Sequence, residues 1–462
     1  MKVEQLYTNC LAEAAYYIES DGEMVIIDPL RETEPYLELE KKHGAKIKYI
    51  FETHFHADFV SGHLDLAKKT GAPIVFGPGA NPDFKAHIAT DGEVFTIGKV
   101  TLTVLHTPGH TLESSTYLLK DEKGKEYAIF TGDTLFIGDV GRPDLAIKSE
   151  LTQEDLAGMM FDSLNNKIKV LPDNVIVYPA HGAGSACGKN LSSETWSTLG
   201  EQKKTNYALK CETKKEFIKE LTTGILPAPQ YFAKNAAMNK GGYESIDAVV
   251  KKGDNALTLE EFDNHVKNGA LILDVRGKDD FSTAHIPNSL FIGLDGTFAV
   301  WVGALIKNIK QPIVLICPEG KDKEAVIRLA RVGYDNTLGY LKGGVETWIK
   351  AGRKTSSVKS VTAEELAELK NVPIVDIRKP GEFEASHAKC AVSYPLDFIN
   401  DHLHELPTGD AQYLHCKSGY RSVIAISILM QKGYTNLIDV KGGFTAMEKT
   451  NLPIETGVSC SN

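Results

Sequence analysis

The chain has 462 residues, 42% of them hydrophobic and 24% charged, with a formal net charge of −10. That length suits roughly two to four domains, and the composition excludes disordered, collagen-like and low-complexity classes. The acidic balance argues against a nucleic-acid partner, and no apolar run reaches the ~18 residues of a membrane span. The start, Met1-Lys2-Val3-Glu4-Gln5, has neither an apolar signal core nor an Arg-rich presequence. Seven scattered cysteines (Cys10, Cys187, Cys211, Cys317, Cys390, Cys416, Cys460) show no Cys-x-x-Cys pair. Free thiols in a reducing compartment follow, and a cytoplasmic location is expected.

The first strong signal in chain order is the apolar run Ile47-Lys48-Tyr49-Ile50-Phe51, a predicted strand, followed by Thr53-His54-Phe55-His56-Ala57-Asp58-Phe59. Alternate side chains of extended backbone face the same way, so His54, His56 and Asp58 can aim at one point. Imidazole with carboxylate suits zinc or iron better than calcium or magnesium. Three further candidates follow predicted strands: His110 in His106-Thr107-Pro108-Gly109-His110, Asp133 in Gly132-Asp133-Thr134, and His181 in Pro179-Ala180-His181. Each stands beside Gly or Pro at a strand end, where a rigid scaffold carries functional groups.

This constellation resembles the metallo-β-lactamase superfamily, across roughly the first half of the chain. The resemblance implies an αββα sandwich with a metal at one edge of its two sheets. Hydrolases of that superfamily carry His-x-His-x-Asp-His and two zinc ions, whereas Phe59 follows Asp58 here. One ligand of a second metal is thereby lost, although His63, one helical turn further on, is a candidate substitute. Two histidines and a carboxylate with open positions form the facial triad of non-haem Fe(II) oxygenases.

The segments Gly132-Asp133 to Gly141-Arg142-Pro143-Asp144 and His181 to Ser192 are similar to the persulfide dioxygenase branch. That resemblance implies one Fe(II) per chain, held by His54, His110 and Asp133. His56, Asp58, His63 and His181 then surround those ligands, orienting them or meeting substrate. Arg142 would grip the anionic part of a thiol carrier or fix the site through Asp144. Its alternative is a structural ion pair with Asp139 or Asp144.

Pro227-Ala228-Pro229 and Asn239-Lys240-Gly241-Gly242 bracket a stretch predicted to be loop-rich. Two similar blocks then follow. Leu271-Ile272-Leu273-Asp274-Val275-Arg276 matches Ile374-Val375-Asp376-Ile377-Arg378, Phe281 to His285 matches Phe383 to His387, and Leu341 to Gly344 matches Val440 to Gly443. Thr258 and Thr362, each before a pair of glutamates, open capped helices. Strand and helix alternate, as in small parallel α/β domains.

The blocks resemble rhodanese domains. The expected division is 1–250, 255–355 and 358–458. In the second block Cys416-Lys417-Ser418-Gly419-Tyr420-Arg421-Ser422 lies between a predicted strand and helix. Backbone N–H groups of such a loop form an anion nest, and the helix dipole favours a thiolate. Cys416 is the expected persulfide nucleophile, with Arg421 as its cationic partner and Lys417, Ser418, Gly419, Tyr420 and Ser422 around the substrate. Arg421 lies five residues after Cys416, one fewer than in tyrosine-phosphatase-type loops, which suits one sulfur atom rather than a phosphate. The first block reads Cys317-Pro318-Glu319-Gly320-Lys321-Asp322. Pro318 removes a backbone donor and two carboxylates raise the thiol's pKa, so Cys317 is expected to be inert.

The whole chain therefore resembles a persulfide dioxygenase–rhodanese fusion. Its implied partners are a low-molecular-weight persulfide, O₂, and sulfite or thiosulfate, and a homo-oligomer, dimer or tetramer, is expected. The rivals are a dizinc thioester hydrolase of glyoxalase II type and a non-catalytic sulfur carrier.

Overall fold

The computed structural model describes residues 1–145, 151–403, 406 and 411–457. Cys460 lies outside them. The chain divides into two compact units, one formed by Met1–Asp247 with Ala330–Gly333, the other by Ala248–Leu329 and the chain from Tyr334 onward.

The first unit is built on two six-stranded sheets. In one, the strands run in chain order from Lys2–Thr8 to His87–Ile88; in the other, Val94–Ile97 and Ser197–Thr198 are the edges. Alternating residues such as Tyr16, Ile18, Val25 and Ile27 meet Leu102, Val104, Tyr117 and Phe130 between the sheets. The opposite faces are covered by helices. Tyr36 and Leu39 of the helix Glu34–His43 pack with Tyr17 and Met24 on one sheet. Met160 of Gln153–Ser163 and Phe217 of Lys214–Thr222 pack with Ile129 and Val177 on the other. Both sheets are thus apolar on both faces, and the layering is αββα.

One sequence expectation fails in this unit. The stretch between Pro227 and Gly242 contains the helix Phe232–Gly241 rather than loop throughout. Its very weak amphipathicity hid it, because two of its buried positions are asparagines, Asn235 and Asn239. Asn239 ties that face to the loop at 56–61 by tertiary hydrogen bonds, beside the buried Phe232.

The second unit carries two five-stranded parallel sheets of the same connectivity. In the first, the central strands Leu271–Asp274 and Ile313–Ile316 pair side by side; in the second, Ile374–Asp376 and Gln412–His415 take those places. Thr258 and Thr362 both cap helices with reciprocal hydrogen bonds to Glu261 and Glu365. Parallel strands need crossover helices, and the central strands of each sheet are almost wholly buried. Each cysteine loop then falls at the carboxyl end of a central strand.

Candidate metal centre and cysteine loops

Four strand ends of the first unit deliver the metal candidates. His54 follows Lys46–Phe51, His110 follows Val100–His106, Asp133 follows Glu126–Gly132 and His181 follows Ile176–Pro179. All four are buried. Gly132 holds a φ of 52°, and a Cβ there would lie 2.5 Å from the Thr53 hydroxyl. Only glycine lets the Asp133 turn approach Thr53 so closely.

Three ligand atoms face one another with no hydrogen-bond partner: His54 Nε2, His110 Nε2 and Asp133 Oδ2. Asp133 Oδ2 lies 3.3 Å from His110 Nε2 and 3.8 Å from His54 Nε2. Three unpaired lone-pair atoms buried together are costly unless an ion satisfies them. This observation fits the residues to a metal.

The surrounding hydrogen bonds fix how each ligand presents itself. The Thr53 hydroxyl donates to Asp28 Oδ2 at 2.8 Å, so its proton is spent. His54 Nδ1, 3.0 Å from that hydroxyl, must then be the donor, which leaves the lone pair on Nε2. His110 Nδ1 donates to the Arg142 carbonyl at 2.8 Å, with the same consequence. Both imidazoles are thereby set in the ligand tautomer. Burial and the neighbouring His56 hold the His54 pKa well below its usual value. Asp28 itself sits in the left-handed region at φ 52° and receives the Thr53 N–H on Oδ1 at 2.7 Å.

His181 takes a different part. Its Nδ1 lies 2.8 Å from Asp133 Oδ1 and its Nε2 lies 2.7 Å from Asp58 Oδ2. Burial opposes its charge, but Asp133 and Asp58 raise its pKa well above the usual value. A histidine clasped between two carboxylates has both nitrogens protonated and no lone pair for a metal. Burial likewise opposes ionisation of Asp133, yet His181 and His110 hold that carboxyl well below its usual range. Asp58, His181 and Cys187 come within metal-binding reach of one another. Burial, with Asp58 and Asp133, pushes the Cys187 thiol well up.

His56 packs its ring 4.2 Å from that of His54 and directs Nε2 to Asp28 and Glu52. Its Nε2 is 3.1 Å from Asp28 Oδ1 and 3.5 Å from Glu52 Oε2, and the Phe59 ring lies 4.4 Å from its own. His63 does not substitute for a lost metal ligand. Its Nδ1 is 3.2 Å from Glu52 Oε1 and its ring stacks on Phe84. Burial, then His56, lowers its pKa to about 3.

Arg142 is committed inside the protein. It forks onto Asp144 at 2.6 and 2.7 Å and also donates to the carbonyls of Ala186 and Leu226. Each guanidinium nitrogen thus has a partner inside the protein, and the Asp144 pair is one of the two roles expected of Arg142.

Several contributors were not legible in the sequence. Asn239 clamps the metal-motif loop, donating to the carbonyls of His56 and Phe59 and accepting from Ser61 N–H. Glu13 and Glu52 are fully buried carboxyls whose pKa values burial pushes well up. A lone Glu13 opening the apolar strand Glu13–Ser20 was the available signal; Asn239 offered none.

In the second unit, Cys416 is buried where Gln412–His415 meets the helix Tyr420–Gln431. The Gly419 N–H donates to its Sγ at 3.1 Å and the Ser422 hydroxyl lies 3.8 Å away. Gly419, at φ 98°, turns that N–H inward. Ser418 and Tyr420 border a cleft beside the loop, and Lys417 is exposed. Arg421 forks onto Glu382 at 2.6 and 2.8 Å, so its charge is shared with a carboxylate rather than left open to an anion. The equivalent Cys317 has its pKa raised by burial, then by Asp322, Asp274 and Asp254.

Comparison with known proteins agrees with this geometry. Residues 8–181 match the metallo-beta-lactamase superfamily, and residues 258–351 and 362–450 each match the rhodanese-like domain. The chain belongs to the metallo-β-lactamase superfamily and carries two rhodanese-like domains. It is 33% identical over 225 residues to human mitochondrial persulfide dioxygenase ETHE1, spanning 47% of this chain and 80% of that protein. It is also 33% identical over 188 residues to a probable hydroxyacylglutathione hydrolase of Schizosaccharomyces pombe, spanning 39% of this chain and 69% of that one. A crystal structure of a metallo-beta-lactamase from Staphylococcus aureus covers 74% of this chain and 98% of its own, with 32% identity and a TM-score of 0.65. The architecture fits a fusion of a persulfide-dioxygenase-like domain with rhodanese domains.

Proposed function

We propose that the chain is an Fe(II)-dependent dioxygenase of low-molecular-weight persulfides, coupled to sulfur transfer at Cys416, with domains over 1–250, 255–355 and 358–458. The observation that carries the first activity is the three orphaned atoms of His54, His110 and Asp133, beside a His181 whose two nitrogens are both taken. That pattern favours one metal with two histidines and one carboxylate, a set typical of non-haem iron. Iron bound there would supply the activation of O₂ toward sulfur. The protein residues fix the ligand tautomers through Thr53 and the Arg142 carbonyl, and hold Asp133 ionised through His181. The net reaction takes persulfide, O₂ and water to thiol, sulfite and two protons.

Cys416 is proposed to attack the outer sulfur of a persulfide or thiosulfate. The S–S bond breaks, thiol or sulfite leaves with the electron pair, and Cys416 carries the sulfur. Sulfite then attacks that sulfur, forming thiosulfate and restoring the Cys416 thiolate. The N–H of Gly419 supports the negative sulfur. Purified protein given a panel of persulfides should consume O₂ and release sulfite or thiosulfate. No O₂ uptake with any persulfide would overturn the proposal.

The second reading, a dizinc thioester hydrolase, draws on the Asp58, His181 and Cys187 group and the hydrolase relatives. It requires His181 to give up both carboxylate bonds and Cys187 to ionise against two carboxylates.

A further inference from the structure

The degenerate rhodanese-like domain adjoins the Cys416 loop. The Tyr420 hydroxyl donates to the Gly293 carbonyl at 2.7 Å, and a Cβ on Gly296 would lie 2.3 Å from the Tyr420 ring. Further along the same helix, the Ser427 hydroxyl accepts from the Phe291 N–H at 3.0 Å. Beside the Tyr420 contacts lies a cleft of roughly 600 Å³, with Lys278, Gly293, Asp295, Ser418 and Tyr420 on its walls. Lys278 opens the helix Lys278–Thr283 of the degenerate domain, and its Nζ lies 3.9 Å from where a Cβ on Gly419 would be. Gly419 is the residue whose N–H meets Cys416 Sγ.

We infer that Lys278 is a substrate-binding residue of the sulfur-transfer site, lent by the degenerate domain to the anionic donor and acceptor that meet Cys416. The inference rests on the proposed sulfur transfer at Cys416. Arg421 is tied up by its fork onto Glu382, so an anion approaching Cys416 from the cleft meets Lys278, the lysine on the cleft wall, while the exposed Lys417 neighbours Cys416 in the loop itself. Arg276, also on the cleft, is tied to Asp274 and the Ala284 carbonyl. Among the described residues Lys278 has one ion-pair partner, Asp279 at 3.0 Å, whose side chain is 88% exposed. Such a surface pair is weak and readily exchanged for a substrate anion. The Lys278 charge is also felt at Asp439, which accepts from Ser422 at 2.6 Å.

The cleft carries carboxylates too: Asp279, Asp280 and Asp295. They leave Lys278 as a single cation among carboxylates rather than part of a broad basic surface. A compact anion such as thiosulfate or sulfite fits that pattern; an extended polyanionic carrier would be repelled. This gives the first rhodanese-like domain a task although its own cysteine loop is spoiled by Pro318 and Asp322.

The test uses the full-length protein. Lys278→Ala should raise the KM for thiosulfate about three- to tenfold, the scale of one lost charge near a solvated dianion, with kcat within about twofold. Lys278→Arg should restore most of it. A second readout needs no turnover: alkylation by anionic iodoacetate, relative to neutral iodoacetamide, should slow in Lys278→Ala at the thiol that Cys416→Ser removes. If sulfur transfer survives Cys416→Ser, the proposed function of that cysteine is wrong. If transfer depends on Cys416 but Lys278→Ala leaves both the KM and the alkylation ratio unchanged, the inference about Lys278 is overturned.

Discussion

The Thr53 hydroxyl is the single atom that connects Asp28 to the candidate ligand His54, and Thr53→Val removes it while keeping the shape. The hydroxyl now donates to Asp28 Oδ2 at 2.8 Å and accepts from His54 Nδ1 at 3.0 Å. In the variant the His54 Nδ1–H is buried with no acceptor, a loss of about 1–3 kcal/mol. Moving the proton to Nε2 would relieve that loss, but Nε2 is the atom that faces Asp133 Oδ2. The variant therefore trades an unmet hydrogen bond against a blocked ligand. Iron affinity should fall about 10- to 100-fold, as for other lost partners of ligand histidines. Thr53→Ser keeps the hydroxyl and should stay close to wild type. The assay is iron retention during chelator titration, with thermal unfolding of the iron-free proteins as a control on folding. Iron affinity within about twofold of wild type in Thr53→Val would refute the tautomer argument, as would an equal loss in Thr53→Ser.

Other predictions follow from the same geometry. His54→Ala, His110→Ala and Asp133→Ala should each strip iron and abolish sulfite formation, while His56→Ala should keep most of the iron, because its ring addresses Asp28 and Glu52; elemental analysis of the purified variants checks this. Cys416→Ser should leave O₂ uptake intact and shift the product from thiosulfate to sulfite, measured by thiol-labelling chromatography; undiminished thiosulfate would remove Cys416 from the mechanism. Cys317→Ser should leave both products near wild-type levels, since carboxylates crowd that thiol. For the same reason Cys317 stays a neutral thiol near neutrality, so its alkylation should climb without a plateau between about pH 7 and about pH 9. A plateau in that window would show that the burial and charge argument fails.

The metal motif was readable because period-two spacing and strand-end Gly and Pro residues are local signals. His54, His110 and Asp133 come together as those signals imply, and the αββα layering follows from strands that are apolar on both faces. The partners of the ligands were not readable. Thr53 lies next to His54 in the chain, but its other partner, Asp28, comes from a different strand end, and Asn239 reaches the motif loop from a helix far along the sequence. Hydrogen-bond partners across such separations leave no periodic trace. The same reason explains Arg421, whose helix position fitted the sequence reading but whose guanidinium is claimed by Glu382. Lys278 had no motif at all; its meaning depends on how two similar domains adjoin. Phe59 was informative in the sequence as a missing histidine, and in the structure as a ring laid against His56.

Metal content measured together with O₂ consumption tests the central claim most directly. Protein purified without added chelator should contain about one iron per chain and little zinc, and O₂ uptake with a low-molecular-weight persulfide should scale with iron content across preparations. Two zinc ions per chain, with thioester hydrolysis and no persulfide-dependent O₂ uptake, would contradict the account.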